Sequence, residues 1–172
     1  MKRNLKQGKV KLIASVFSGD PELIRETSRI LERIFGRIDF RSPIMDFIHT
    51  DYYNDEMGRG LKRIILGFKK RVRPESAYKA KLETNALEKK FTLNGKRRVN
   101  IDPGYLDMSK VVLFSPKDYT HRIPMPRGIF AEVTLFYRDK RYNPWPWTYP
   151  DYGSEEYCAI FESVRNNYRE GA

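Results

Sequence analysis

The stretch VKLIASVFSGDPELIRETSRILERIFG, residues 10–36, decides the fold class. Val10 to Phe17 is a short, mostly apolar run that reads as a buried strand, and Ser18-Gly19 ends it. Asp20 then stands at an N-cap position with Pro21 at the first helical residue. Leu23, Ile24, Thr27, Ile30, Leu31, Ile34 and Phe35 recur on one face, and Gly36 is the stop signal. A strand that turns at once into an amphipathic helix points to a mixed, α+β chain. The turn Ser18-Gly19-Asp20 offers helix N-terminal amides to a phosphate, but the charge of Asp20 opposes one there.

Working outward, Ile44 to Tyr53 reads as a second strand, and Asp55-Glu56-Met57-Gly58 as the turn after it. Leu61 to Val72 fits a helix through Leu61, Ile64, Ile65, Phe68 and Val72, and partly fits a strand. Gly67 and the preceding turn tilt it to strand. Pro74 opens a helix carrying Tyr78 and Leu82. Asn94-Gly95 predicts a hairpin that pairs residues near Phe91 and Leu93 with Arg98 to Asp102. Met108 to Ser115 is a short apolar piece closed by Pro116. Ile129, Ala131, Val133, Leu135 and Tyr137 alternate with Phe130, Glu132, Thr134 and Phe136 as in a strand. A Pro-aromatic loop spans 142–152, and a last helix starts near Ser154 with Tyr157, Ile160, Phe161, Val164 and Tyr168 at helical spacing. The order strand, helix, strand, strand, helix, strand predicts a ferredoxin-like split βαβ core, with an added hairpin and a C-terminal helix, in one domain over residues 1–172.

The chain's 172 residues suffice for a hydrophobic core without staples. One cysteine, Cys158, excludes an internal disulfide and any Cys-x-x-Cys metal or redox motif. It reads as a residue of the buried edge of the last helix rather than a nucleophile. No long apolar run follows the basic N-terminus, Met1 to Lys6, so the expectation is a cytoplasmic protein with no membrane partner. A single glutamine, Gln7, beside abundant Lys, Arg and Glu is a bias of thermophile proteins. The formal net charge is +11, and residues 59–98 alone hold 14 basic and 3 acidic side chains. Such a field attracts polyanions, so nucleic acid or a nucleotide is the expected partner class; a solvated, solubilising face is the plainer alternative.

No P-loop run occurs, and Gly58-Arg59-Gly60 lacks the third glycine of a dinucleotide fingerprint. On a strand, Arg98, Asn100 and Asp102 share one face, as do Glu132 and Thr134 on theirs. If the two strands are neighbours, Asp102 and Glu132 converge with Asn100 and Arg98 as a magnesium or acid/base site; otherwise they form cross-strand ion pairs on a solvated face. Lys117-Asp118-Tyr119-Thr120-His121-Arg122 joins an imidazole to two cations, suited to phosphate binding or general acid work. His49 and Asp51 share a strand face, and with only two histidines a zinc site is not expected. Tyr142, Trp145, Trp147, Tyr149 and Tyr152, spaced by Pro144, Pro146 and Pro150, either stack on bases or wrap a core edge.

Several separate runs carry a resemblance: Tyr52-Tyr53 with Glu56-Met57-Gly58, Lys81-Leu82-x-Thr84-Asn85-x-Leu87-Glu88, Val99 to Leu106, His121-Arg122-Ile123, Gly128-Ile129-x-Ala131-Glu132 and Trp147 to Tyr152. Together they resemble the bacterial and archaeal family called domain of unknown function 4416 along nearly the whole chain. Its members are often labelled GTP-binding proteins; without a P-loop here, the family name is carried over and that mechanism is not. Two functions follow as expectations. In the first, the basic segment holds RNA or a nucleotide, with Arg63, Lys69, Arg71, Arg97 and Arg98 on phosphates. In the second, Asp102 and Glu132 hold Mg2+ and act with His121 on a phosphorylated or nucleotide substrate. The candidate catalytic residues are thus Asp102, Glu132 and His121. The candidate ligand-binding residues are Arg98, Asn100, Tyr105, Lys117, Arg122, Asn85 and Lys81.

Overall fold

A computed structural model describes residues 8–48 and 53–171; His49, Asp51 and Tyr52 lie outside the described residues. In chain order the elements are β1 (Val10–Ser18), α1 (Pro21–Phe35), β2 (Ile38–Arg41), β3 (Met45–Asp46), the single turn α2 (Asn54–Met57), β4 (Lys62–Val72), α3 (Lys79–Lys90), β5 (Asn100–Leu106), β6 (Lys110–Ser115), β7 (Ile123–Met125), β8 (Ile129–Arg138), β9 (Arg141–Pro144) and α4 (Glu155–Glu170). A 3-10 turn, Pro74–Ser76, precedes α3.

The strands form one antiparallel sheet in the order β2-β4-β1-β5-β6-β8-β7, with β3 also on β4 and β9 also on β8. Strand parity sorts the core. Leu12, Ala14 and Val16 of β1, Ile64, Leu66 and Phe68 of β4, and Ile101 of β5 pack under Leu23, Ile24 and Leu31 of α1 and Ala80 and Leu87 of α3. On the opposite face Ile13, Ile65, Leu106, Val111 and Leu135 meet Tyr157, Phe161 and Val164 of α4. The Asp20 carboxylate accepts from the N–H groups of Glu22 and Leu23, so the first turn of α1 is capped by its own chain and not arranged for a phosphate.

Three local expectations change. Asn94 and Gly95 do take the positive φ of a tight turn, at 50° and 74°, but the turn closes only a Leu93–Lys96 bridge. Phe91 caps α3, and Asn100–Leu106 pairs with β1 instead of folding back on residues near Phe91, because a buried central position outweighs local hairpin chemistry. Of the strand expected over Ile44 to Tyr53, the described residues show only Met45–Asp46 as strand, and residues 49–52 lie outside the described residues. In β8 the register to β6 slips between Leu135 and Val133, a bulge at Thr134. Val133 therefore packs with the α3-side cluster and Leu135 with the α4-side cluster, so the single apolar stripe read from the sequence is split.

The basic segment 59–98 does not form one face. Arg63 is 3 % exposed, paired with Asp151 and surrounded by the rings of Phe17, Phe47, Tyr152 and Tyr157. Arg71 donates to the carbonyl of Tyr168, Arg97 clasps Glu56 and Arg98 meets Asp20. Arg63 is thus removed from any external phosphate.

Candidate functional site

Strands β5 and β6 pair only from Gly104–Leu113 to Leu106–Val111. Upstream of Gly104 they part, and a cleft of about 140 Å³ opens between Asn100 and Asp102 on one side and Ser115 and Pro116 on the other. Gly104 makes the parting point: a Cβ there would lie 2.1 Å from the carbonyl oxygen of Val112, so only glycine lets the two backbones close up where the cleft ends.

Parting the strands frees backbone groups of β5 that α3 then satisfies. The Ile101 N–H donates to Glu88 Oε1 at 2.6 Å, and the Ile101 carbonyl accepts from Lys81 Nζ at 2.7 Å. Two side chains on one helical face, two turns apart, thus replace a neighbouring strand, which explains a buried Lys and a buried Glu on the helix. Lys81 also stands 3.4 Å from Asp102 Oδ1, and the Asn100 amide donates to Asp102 Oδ2 at 2.8 Å. Asn100 Oδ1 accepts in turn from Arg97 Nη1 at 2.9 Å, and Arg97 forks onto both oxygens of Glu56 at 2.7 Å. Burial raises the Glu88 carboxyl above its ordinary range, against the opposing charge of Lys81 and the Ile101 hydrogen bond.

The facing wall centres on Glu132, 3 % exposed. Its Oε2 accepts from Arg122 Nε and lies 2.9 Å from His121 Nε2, while the Thr134 hydroxyl donates to Oε1. Arg122 donates onward to the Lys117 carbonyl, which ties the 117–122 loop to β8. Tyr53, Tyr149 and Tyr152 complete the lining. Burial, reinforced by Asp102, pushes the Tyr53 phenol well above its ordinary value, and burial does the same to Tyr152 against the pull of Arg63, so both present neutral hydroxyls. Ser15 is close enough to influence Tyr152, but the pair falls short of hydrogen-bond geometry. Ser15 Oγ, Tyr152 Oη and Arg63 Nε are all buried without a partner.

Of the sequence-derived candidates, the cleft brings together Asp102, Glu132, Asn100, Lys117, Arg122, Asn85 and Lys81. His121 lines an adjoining cleft with Tyr119, Trp147 and Tyr149 that shares Arg122 and Glu132. Arg98 points away to Asp20, and Tyr105 packs against Phe114 in the α3-side core. The Asn85 side chain has no hydrogen-bond partner among the described residues. Among the described residues no three His, Cys, Asp or Glu side chains group as metal ligands. Sequence reasoning missed Glu88 and Tyr53 as lining groups, Glu88 because it has the spacing of an ordinary helix residue, and met Tyr149 and Tyr152 only as members of the Pro-aromatic run that either stacks on bases or wraps a core edge.

No helix among the described residues is long and apolar enough to cross a membrane. Neither a curated protein nor a solved structure matches the chain. Residues 8–168 match the sequence model of one family, described as a domain of unknown function and numbered 4416, and the chain belongs to that family.

Proposed function

We propose that this member of the family binds a small phosphate-bearing ligand, a nucleotide or a nucleotide-sized unit of RNA, in the cleft where β5 and β6 part. The observation that carries this reading is the lining itself. Lys81, Arg97, Lys117 and Arg122 surround the cleft against Glu88, Asp102 and Glu132, a net positive lining. Asn85 and the neutral tyrosines add uncharged hydrogen-bond groups, the mixture that fixes an anion in one orientation. On this reading the phosphate sits in a defined cleft rather than along the basic segment, whose Arg63 is buried.

The magnesium-enzyme reading has less support. Asp102 is held by Lys81 and Asn100, and Glu132 is neutralised by Arg122 with both side chains 4 % exposed, so a cation would have to displace partners from each. Titration calorimetry of the purified protein with inorganic phosphate, ribose 5-phosphate and nucleoside monophosphates tests the proposal. Saturable binding weakened at least fivefold by Asn85→Leu or Lys117→Ala supports it, and an absence of heat with every phosphate compound rejects it.

We also infer that the core is a ferredoxin-like split βαβ unit. The order β2-β4-β1-β5, antiparallel throughout, with α1 and α3 on one face, supports it. Strands β6 to β9 and α4 are then additions, and the cleft lies where the additions join the core.

A further inference from the structure

Beside the phosphate cleft runs a ladder of aromatic rings. Tyr119 and His121 stack at 5.9 Å and 11°, His121 and Trp147 at 5.2 Å and 11°, and Trp147 and Trp145 at 5.1 Å and 9°. Phe136 closes the far end against Trp145 at 4.5 Å. Hydrogen bonds fix the ladder's orientation: Trp147 Nε1 donates to the Val133 carbonyl, and the Thr148 hydroxyl to the Thr134 carbonyl, both at the β8 bulge. These rings occupy one another's faces, so the ladder is a rigid wall and not a set of open stacking sites. Tyr149 differs. It is 51 % exposed, has no ring partner among the described residues and lines both the phosphate cleft and the adjoining cleft of about 300 Å³.

The two clefts are continuous through Arg122, Glu132 and Tyr149. A polar cleft therefore opens into an aromatic one walled by Tyr119, His121, Trp147 and Tyr149, which suits a flat π-system. We propose that the second cleft holds the base of a nucleoside phosphate, with Tyr149 as the residue on which the base stacks. The proposal rests on the phosphate reading above and adds where the base of that ligand sits and which residue it stacks on.

Equilibrium dialysis of the full chain against AMP, GMP, CMP, UMP and ribose 5-phosphate separates the two claims. At least one nucleoside monophosphate is expected to bind about tenfold or more tighter than ribose 5-phosphate, the margin of one stacked base. Tyr149→Leu should erase that margin, so that the nucleoside monophosphates and ribose 5-phosphate bind alike, and Tyr149→Phe, which keeps the ring, should keep it. Equal affinity for ribose 5-phosphate and all four nucleotides overturns the base site while the phosphate cleft stands. Binding by none of the five overturns both.

Discussion

Arg63, in the middle of β4, donates through Nη1 to the carboxylate of Asp151 in the loop before α4, and both side chains are sealed under aromatic rings. Asp151 also accepts the backbone N–H of Tyr152, so one carboxylate holds the segment that presents Tyr149 and Tyr152 to the cleft. The pair thus couples sheet stability to the shape of the site.

Breaking it should be costly. Arg63→Met leaves the Asp151 charge buried and uncompensated, and a loss of about 3–5 kcal/mol is expected. Urea denaturation followed by circular dichroism checks this. A loss below about 1 kcal/mol, in the range of exposed pairs, would show that the carboxylate is reached by water.

Gly104→Ala should be destabilising although it adds only a methyl group. The added Cβ meets the Val112 carbonyl oxygen at 2.1 Å and the Leu113 Cα at 3.1 Å, and backbone atoms cannot swing aside as a long side chain would. An overpacking cost of about 2 kcal/mol is expected, which in a domain of this size lowers Tm by about 4–8 °C. The β5–β6 junction should loosen, and the cleft with it.

Glu88 gives a pH signature of definite sign. Burial raises its carboxyl in the folded chain above the ordinary 4.5, so the folded state binds the proton more tightly than the unfolded one. Its stabilising contribution is full below pH 4.5 and is lost as pH rises through the raised native value. In Glu88→Gln, which keeps an acceptor for the Ile101 N–H, that component is absent. The stability of wild type relative to the variant should therefore fall as the pH rises above 4.5, measured by urea denaturation at each pH. A difference independent of pH would mean that Glu88 titrates alike in both states.

Much of this was legible in the sequence. The strand-turn-helix of residues 10–36 and the terminal helix follow from periodicity and caps, which act locally, while the long β4 followed from Gly67 and the turn before it, since its periodicity fitted a helix as well. Seven candidate residues from four separate runs meet in one cleft, because strand parity put Asn100 with Asp102 and the β6–β8 pairing carried Glu132 to the same face. What stayed hidden depends on register. Nothing in the run from Ile129 to Tyr137 announces a bulge at Thr134, and nothing around Arg63 distinguishes a buried cation from the exposed ones beside it until Asp151, far along the chain, is placed against it. The role of Lys81 and Glu88 as stand-ins for a strand required knowing that β5 and β6 part.

The chain has two tryptophans, Trp145 and Trp147, and both are rungs of the ladder, so tryptophan emission reports on the ladder that walls the second cleft. A nucleoside monophosphate stacked on Tyr149 beside Trp147 should quench the emission, with the same midpoint as dialysis gives, whereas ribose 5-phosphate should leave it unchanged. Trp147→Phe keeps a ring at that rung but removes the hydrogen bond to Val133, at a cost of about 1 kcal/mol. The remaining Trp145 is shielded from the cleft by that rung, so most of the quench should vanish while nucleotide affinity falls only slightly. A quench that survives undiminished in Trp147→Phe would place the base at the Trp145 and Phe136 end of the ladder, away from Tyr149, and would separate the base from the phosphate cleft.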